Sequence, residues 1–103
     1  MKKERFFMMT RKEKTVEPVL GEKYDDNLFI VRKDGSWFIV DIKTGILVIT
    51  GSTRKNLLEK FISWGYKARY DELLENAKND RKHYYNKLVA NLENAIYEYE
   101  KNI

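Results

Sequence analysis

Residues 28–50 constrain the fold more than any other stretch of the chain. Leu28-Phe29-Ile30-Val31-Arg32 is β-branched and aromatic, the composition that suits a pleated strand. Asp34-Gly35 follows, and glycine accepts the positive φ that a tight hairpin turn demands. Ser36 opens a second strand, Thr44-Gly45 makes a second turn, and Ile46-Leu47-Val48-Ile49-Thr50 is a third strand. Strands joined by such short turns pair with their chain neighbours, so the spacing predicts a three-stranded antiparallel meander over residues 28–33, 36–43 and 46–50.

Side chains alternate across a strand. In the central strand Phe38, Val40 and Ile42 share one face, wholly apolar, and are expected to meet the helices. Trp37, Ile39, Asp41 and Lys43 share the other. That mixed face is a candidate contact surface wherever it stays uncovered. Two-residue and bulged three-residue turns both fit the sequence, and the choice sets the faces of the outer strands.

Two helical patterns follow. Ser52 or Thr53 is a suitable N-cap. Leu57, Leu58, Phe61 and Ile62 then fall on one helical face, and Gly65 is a natural stop, giving a packing helix over residues 53–64. A second pattern runs over residues 68–102: Leu74, Ala77, Tyr84 or Tyr85, Leu88, Leu92, Ala95 or Ile96, Tyr99 and Ile103. Arg81 interrupts it within the polar run 78–83, where Asn79 and Asp80 suit a helix end and a new cap. The fold class is therefore α+β: a meander, a short packing helix, and a long C-terminal helix or a helical hairpin. A single helix of thirty-odd residues would span roughly 50 Å, against about 20 Å for the strands. Its overhanging apolar stripe would call for a second copy of the chain or another partner.

Composition narrows the function. The chain has 103 residues, one domain's worth, and no cysteine, which excludes disulfides and thiolate metal sites and suggests a cytoplasmic protein. No apolar run approaches a membrane span, and Phe6-Phe7-Met8-Met9 is too short for the apolar part of a secretory signal. The net charge is +4. Residues 1–15 hold six basic side chains (Lys2, Lys3, Arg5, Arg11, Lys12, Lys14) and two acidic (Glu4, Glu13), so they account for all of it. Residues 1–15 thus read as a flexible basic tail on a neutral domain of residues 16–103.

No set of residues has the makings of a catalytic, cofactor or metal site. His83 is a lone histidine in a polar stretch. The carboxylate pairs Asp25/Asp26 and Asp71/Glu75 sit among basic residues rather than in an evident pocket. Arg54 and Lys55 are unusual: they occupy the first helical turn, where the macrodipole disfavours cations, and a bound anion would relieve the conflict. Six of the seven tyrosines fall between Tyr66 and Tyr99. Tyrosine offers rigid amphipathic area to an interface, so Tyr70, Tyr84, Tyr85, Tyr97 and Tyr99, with Arg81 among them, are candidate contacts along with Arg32, Trp37, Ile39, Lys43, Arg54 and Lys55.

Gly35-Ser36-Trp37, Thr44-Gly45 and Gly51-Ser52-Thr53-Arg54-Lys55 followed by Glu59 resemble, over residues 29–61, the three-strand-plus-helix modules of phage and mobile-element proteins. The layout is similar to the arm-DNA-binding domain of tyrosine-type phage integrases, in which the exposed sheet face enters a DNA groove. The resemblance implies a phage- or mobile-element-encoded protein. Two expectations follow. The first is a non-enzymatic protein that docks on a host defence or nucleic-acid-handling complex, as an anti-CRISPR-like inhibitor does, with homo-oligomerisation through the C-terminal helix as a variant. The second is a DNA- or RNA-binding module using the sheet face, the helix start and the basic tail.

Overall fold

A computed structural model describes residues 3–9, 15–78 and 84–101. The protein is α+β, with five strands followed by three helices: β1 Glu4–Met9, β2 Val16–Lys23, β3 Leu28–Lys33, β4 Ser36–Asp41, β5 Leu47–Gly51, α1 Arg54–Ser63, α2 Tyr66–Lys78 and α3 Tyr84–Lys101. The sheet is antiparallel throughout, in the order β1-β2-β3-β4-β5. The predicted meander is its last three strands. Two strands precede it, and the first, β1, puts residues 4–9 of the expected tail into the sheet. β1 pairs with β2 along its whole length, from Glu4 opposite Gly21 to Met9 opposite Val16. Arg11, Lys12 and Lys14, and the N-terminal Lys2, lie outside the described residues.

Local chemistry accounts for the turns. Lys33 faces Ser36, so the β3–β4 loop is the two residues Asp34 and Gly35, with φ of +52° and +79°, the left-handed pair of a type I′ hairpin. The β4–β5 connection is longer. Gly45 N–H donates to Asp41 O (2.8 Å) and Asp41 N–H to Ile46 O (3.0 Å). Between β2 and β3, the Asp25 carboxylate accepts from the backbone N–H of Asn27 (2.8 Å) and Leu28 (2.9 Å), closing an Asx-type turn.

β2 changes partner along its length. Its first part pairs with β1, and Glu22 and Lys23 pair with β3. Gly21 sits at the change. A Cβ there would stand 2.8 Å from Ile30 O and 3.0 Å from Phe29 Cδ2, so only glycine lets the two strands approach so closely. The β1–β2 hairpin folds over the sheet at this point, and three apolar layers result. β3, β4 and β5 present Leu28, Ile30, Ile39 and Ile49 to Leu57 and Phe61 of α1 and Tyr70 of α2. The opposite face of β3–β4, with Phe29, Val31 and Val40, packs on Met8, Phe6 and Val19, and the Phe6 ring stacks on Phe29 at 4.4 Å. The outer face of the hairpin, with Val16, Phe7 and Met9, receives Leu92, Ala95, Ile96 and Tyr99 of α3.

This layering reverses the predicted faces. α1 and α2 cover the Ile39 face, and the Phe38–Val40–Ile42 face is covered by the hairpin. Phe6-Phe7-Met8-Met9 supplies apolar side chains to both sides, which is what a strand buried on both faces requires. Ile39 is fully buried and is no contact surface.

α1 begins as predicted at Thr53, whose hydroxyl accepts from Asn56 N–H (3.0 Å), and gives way at Gly65. The single overhanging helix is not observed. A straight helix would hold Tyr70 and Tyr85 about 22 Å apart, yet both line one groove with Asp41. The chain therefore reverses between α2 and α3, and the inner stripe of α3 is sheltered by its own β1–β2 hairpin. The residues that interrupt the pattern, Asn79, Asp80, Arg81 and His83, lie outside the described residues.

Candidate functional site

Asp41 ends β4 inside the protein, with 4% of its surface exposed. One carboxylate oxygen, Oδ1, accepts from the backbone N–H of Lys43 (2.8 Å) and Thr44 (3.0 Å), and so fixes the β4–β5 turn. The other, Oδ2, accepts from the Tyr70 hydroxyl of α2. The Tyr85 hydroxyl of α3 stands near enough to feel the same carboxylate's charge. One acid thus ties the sheet to α2 and faces α3. All these donors are neutral, and no cationic side chain among the described residues pairs with Asp41, so its charge is hydrogen-bonded without being offset. Burial, the bond to Asp41 and the nearby negative charge push the Tyr70 hydroxyl far above the usual phenol range. Burial and then the Asp41 charge push Tyr85 up to about 12.

A groove of about 580 Å³ opens above this cluster. Ile46 and Val48 form the wall on the β5 side, Leu73 and Leu74 the wall on α2, and Leu88 the end on α3. Tyr70, Tyr85, Asp41 and Thr44 complete its lining. Leu73 is 64% exposed at the rim, and Leu47 of β5 is 47% exposed. Val48 is the extra residue of a β-bulge: Val40 faces Leu47 and Ile39 faces Ile49. A second hollow shares Leu74 and Tyr85 with the groove and adds Lys43, Asp71 and Glu75. The charged residues lining the two hollows are Asp41, Asp71, Glu75 and Lys43, and the Lys67 ammonium reaches Asp71 (3.5 Å).

Of the predicted contact residues, Tyr70 and Tyr85 are brought together here, and Lys43 stands at the margin. The others are dispersed. Arg32 is exposed on β3 opposite Trp37, which is half-buried against the α1 layer. Arg54 is not waiting for an outside anion: its Nε and Nη2 donate to the Glu22 carboxylate of β2, at 3.2 and 2.6 Å. An internal carboxylate therefore relieves the conflict at the α1 N-terminus. Lys55 is exposed near Glu59 (3.9 Å). Tyr99 packs edge-on against Phe7, and Tyr97 is exposed elsewhere on α3. Arg81 and the side chain of Tyr84 lie outside the described residues. Among the described residues, no group of His, Asp or Glu is placed to hold a metal ion, and no helix is long and apolar enough to cross a membrane.

Sequence reasoning missed Asp41 and the aliphatic walls. The available signal was an acid bracketed by Val40 and Ile42 just before Lys43-Thr44-Gly45: an acid so placed must either be solvated or cap a turn. No protein family, no curated protein and no solved structure matches the chain.

Proposed function

We propose that this chain is a non-enzymatic interaction protein that docks a protein partner in the groove between β5, α2 and α3. One observation carries the reading: an apolar groove of about 580 Å³ stays open between three elements, with Leu73 exposed at its rim. The surfaces first expected to hold a partner, an overhanging C-terminal helix and an open sheet face, are both covered, so the docking reading rests on this groove instead. The groove's polar groups favour binding over chemistry. Asp41 has both oxygens engaged, and the two tyrosines hold their protons at neutral pH. A phage or mobile-element origin, with a host defence or nucleic-acid-handling complex as partner, is the setting that the resemblance over residues 29–61 implies.

Site-directed photocrosslinking tests the reading. A photoreactive residue at Leu73 should give a discrete adduct with a different protein in cells that express the chain, and excess unlabelled chain should compete it away. The same residue at Leu20, exposed on β2, should give none. Equal labelling from both positions, or none from Leu73, would remove the groove as a docking site.

A further inference from the structure

We infer that the bottom of the groove is a binding site for a small organic cation, an amine on an apolar body, with its ammonium beside Asp41 and its body against the aliphatic walls. The site lies below the rim at Leu73, where a protein partner docks, and does not depend on that docking.

Shape is the first argument. Asp41, Thr44 and Tyr70 are buried at the bottom, and Leu73 is exposed at the rim. The volume of about 580 Å³ falls within the roughly 300–1,000 Å³ common for small-molecule sites. The lining also has their composition: aliphatic walls from Ile46, Val48, Leu74 and Leu88, and a few polar groups gathered below them. A lysine reaching in from another protein carries the same charge, but its narrow stem would leave most of those walls to water.

Charge selects the cation. The rim does not choose, since the Lys67 ammonium reaches Asp71 (3.5 Å). The bottom does. Asp41 accepts from the backbone N–H of Lys43 and Thr44 and from the Tyr70 hydroxyl. All three donors are neutral, so they solvate the charge without cancelling it. Among the described residues no cation forms an ion pair with Asp41, Lys43 included. A carboxylate offers about four acceptor positions, so these three bonds leave room for an ammonium N–H. In a nearly buried place the attraction between the two charges is only weakly screened by salt. Tyr70 and Tyr85 add aromatic rings to the lining, and the face of such a ring attracts a cation. An anion would be repelled by Asp41, and a neutral molecule would leave its charge unmatched.

The experiment is titration of the full chain with phenylbutylamine, phenylbutanol and phenylbutyrate, which share one apolar body and carry a positive, a neutral and a negative head. Methyl NMR of labelled Ile, Leu and Val reads the site. The amine should shift the methyls of Ile46, Val48, Leu74 and Leu88 saturably and bind about tenfold or more tightly than the alcohol, with phenylbutyrate weaker still. Asp41→Asn keeps a carbonyl oxygen for the Lys43 and Thr44 N–H groups and removes the charge, and in it the amine should fall to the affinity of the alcohol. Circular dichroism checks the fold of that variant; if it does not fold, the ratio of amine to alcohol in the parent chain decides. Equal binding of amine and alcohol, undiminished amine binding in a folded Asp41→Asn, shifts centred outside the groove, or no saturable shift would each overturn the site. The Leu73 crosslink reports protein docking separately, so either reading can fail alone.

Discussion

Raising the pH should unfold this protein through two tyrosines. In the unfolded chain Tyr70 and Tyr85 lose their protons near pH 10, the ordinary value for a phenol. In the folded chain both are held in the protonated form, Tyr85 up to about 12 and Tyr70 beyond it, by burial and the Asp41 carboxylate. A folded pKa raised in this way contributes stability that is complete below about pH 10 and is lost as the pH climbs through the folded value. At about pH 11 ionisation favours the unfolded chain by roughly 1.4 kcal/mol for each tyrosine held neutral. Both together give about 2–3 kcal/mol, with Tyr85's share trimmed by its partial exposure to solvent. That is a large part of the 5–15 kcal/mol expected for a domain of this size. The assay is urea unfolding between about pH 8 and 11, with tyrosinate absorbance followed in parallel. Lysines titrate in the same range, so Tyr70→Phe is the internal reference. It should cost about 1.5–3 kcal/mol at neutral pH, for the lost bond to a buried carboxylate, yet show a shallower alkaline decline than the parent. Parallel declines in the two proteins, or ionisation of every tyrosine near pH 10 with the fold intact, would refute the account.

Three further outcomes follow from the packing. Phe6→Ala removes the ring stacked on Phe29 and should lower the urea-unfolding free energy by about 2–3 kcal/mol, an effect that a substitution in a mobile tail would not have. Gly21→Ala should cost about 1–3 kcal/mol in the same assay, because the new methyl meets Ile30 O and the Phe29 ring. Glu22→Gln should cost about 1 kcal/mol and make the protein gain more stability from added sulfate than the parent does, since the α1 N-terminus then lacks its internal anion.

The order of the meander strands, the Asp34-Gly35 turn, the Thr53 cap and the Gly65 stop were legible because each is set by near neighbours. Asp34-Gly35 makes its turn whatever lies above the sheet. The α2–α3 reversal was half legible. The polar run 78–83 marked where the pattern weakens, and helix propensity argued the other way. What settles it is the meeting of distant residues: Tyr70 and Tyr85 face one groove with Asp41, and no local pattern announces that an acid in β4 will stand between two helices. The groove was illegible for the same reason, since Ile46, Val48, Leu73 and Leu88 line one space only after three elements have been placed.

The remaining misreadings descend from a single one. Phe6-Phe7-Met8-Met9 shows no alternation, and beside so much basic charge it passed for a tail. A strand buried on both faces shows no alternation either, and four apolar residues between charged flanks suit such a strand as well as they suit disorder. With β1 and β2 set aside, the meander had two open faces and only helices to cover them. The wholly apolar Phe38–Val40–Ile42 face was then assigned to the helices, and the Trp37–Ile39 face was left open for a partner. With the hairpin restored, Phe6 and Met8 take the first face, α1 and α2 take the second, and Phe7 and Met9 give α3 a place to lie. The apparent excess of apolar surface on the last helix was the counterpart of a strand that had not been counted. The trough between β5, α2 and α3 belongs to none of these three covered layers, so a search for a partner starts there.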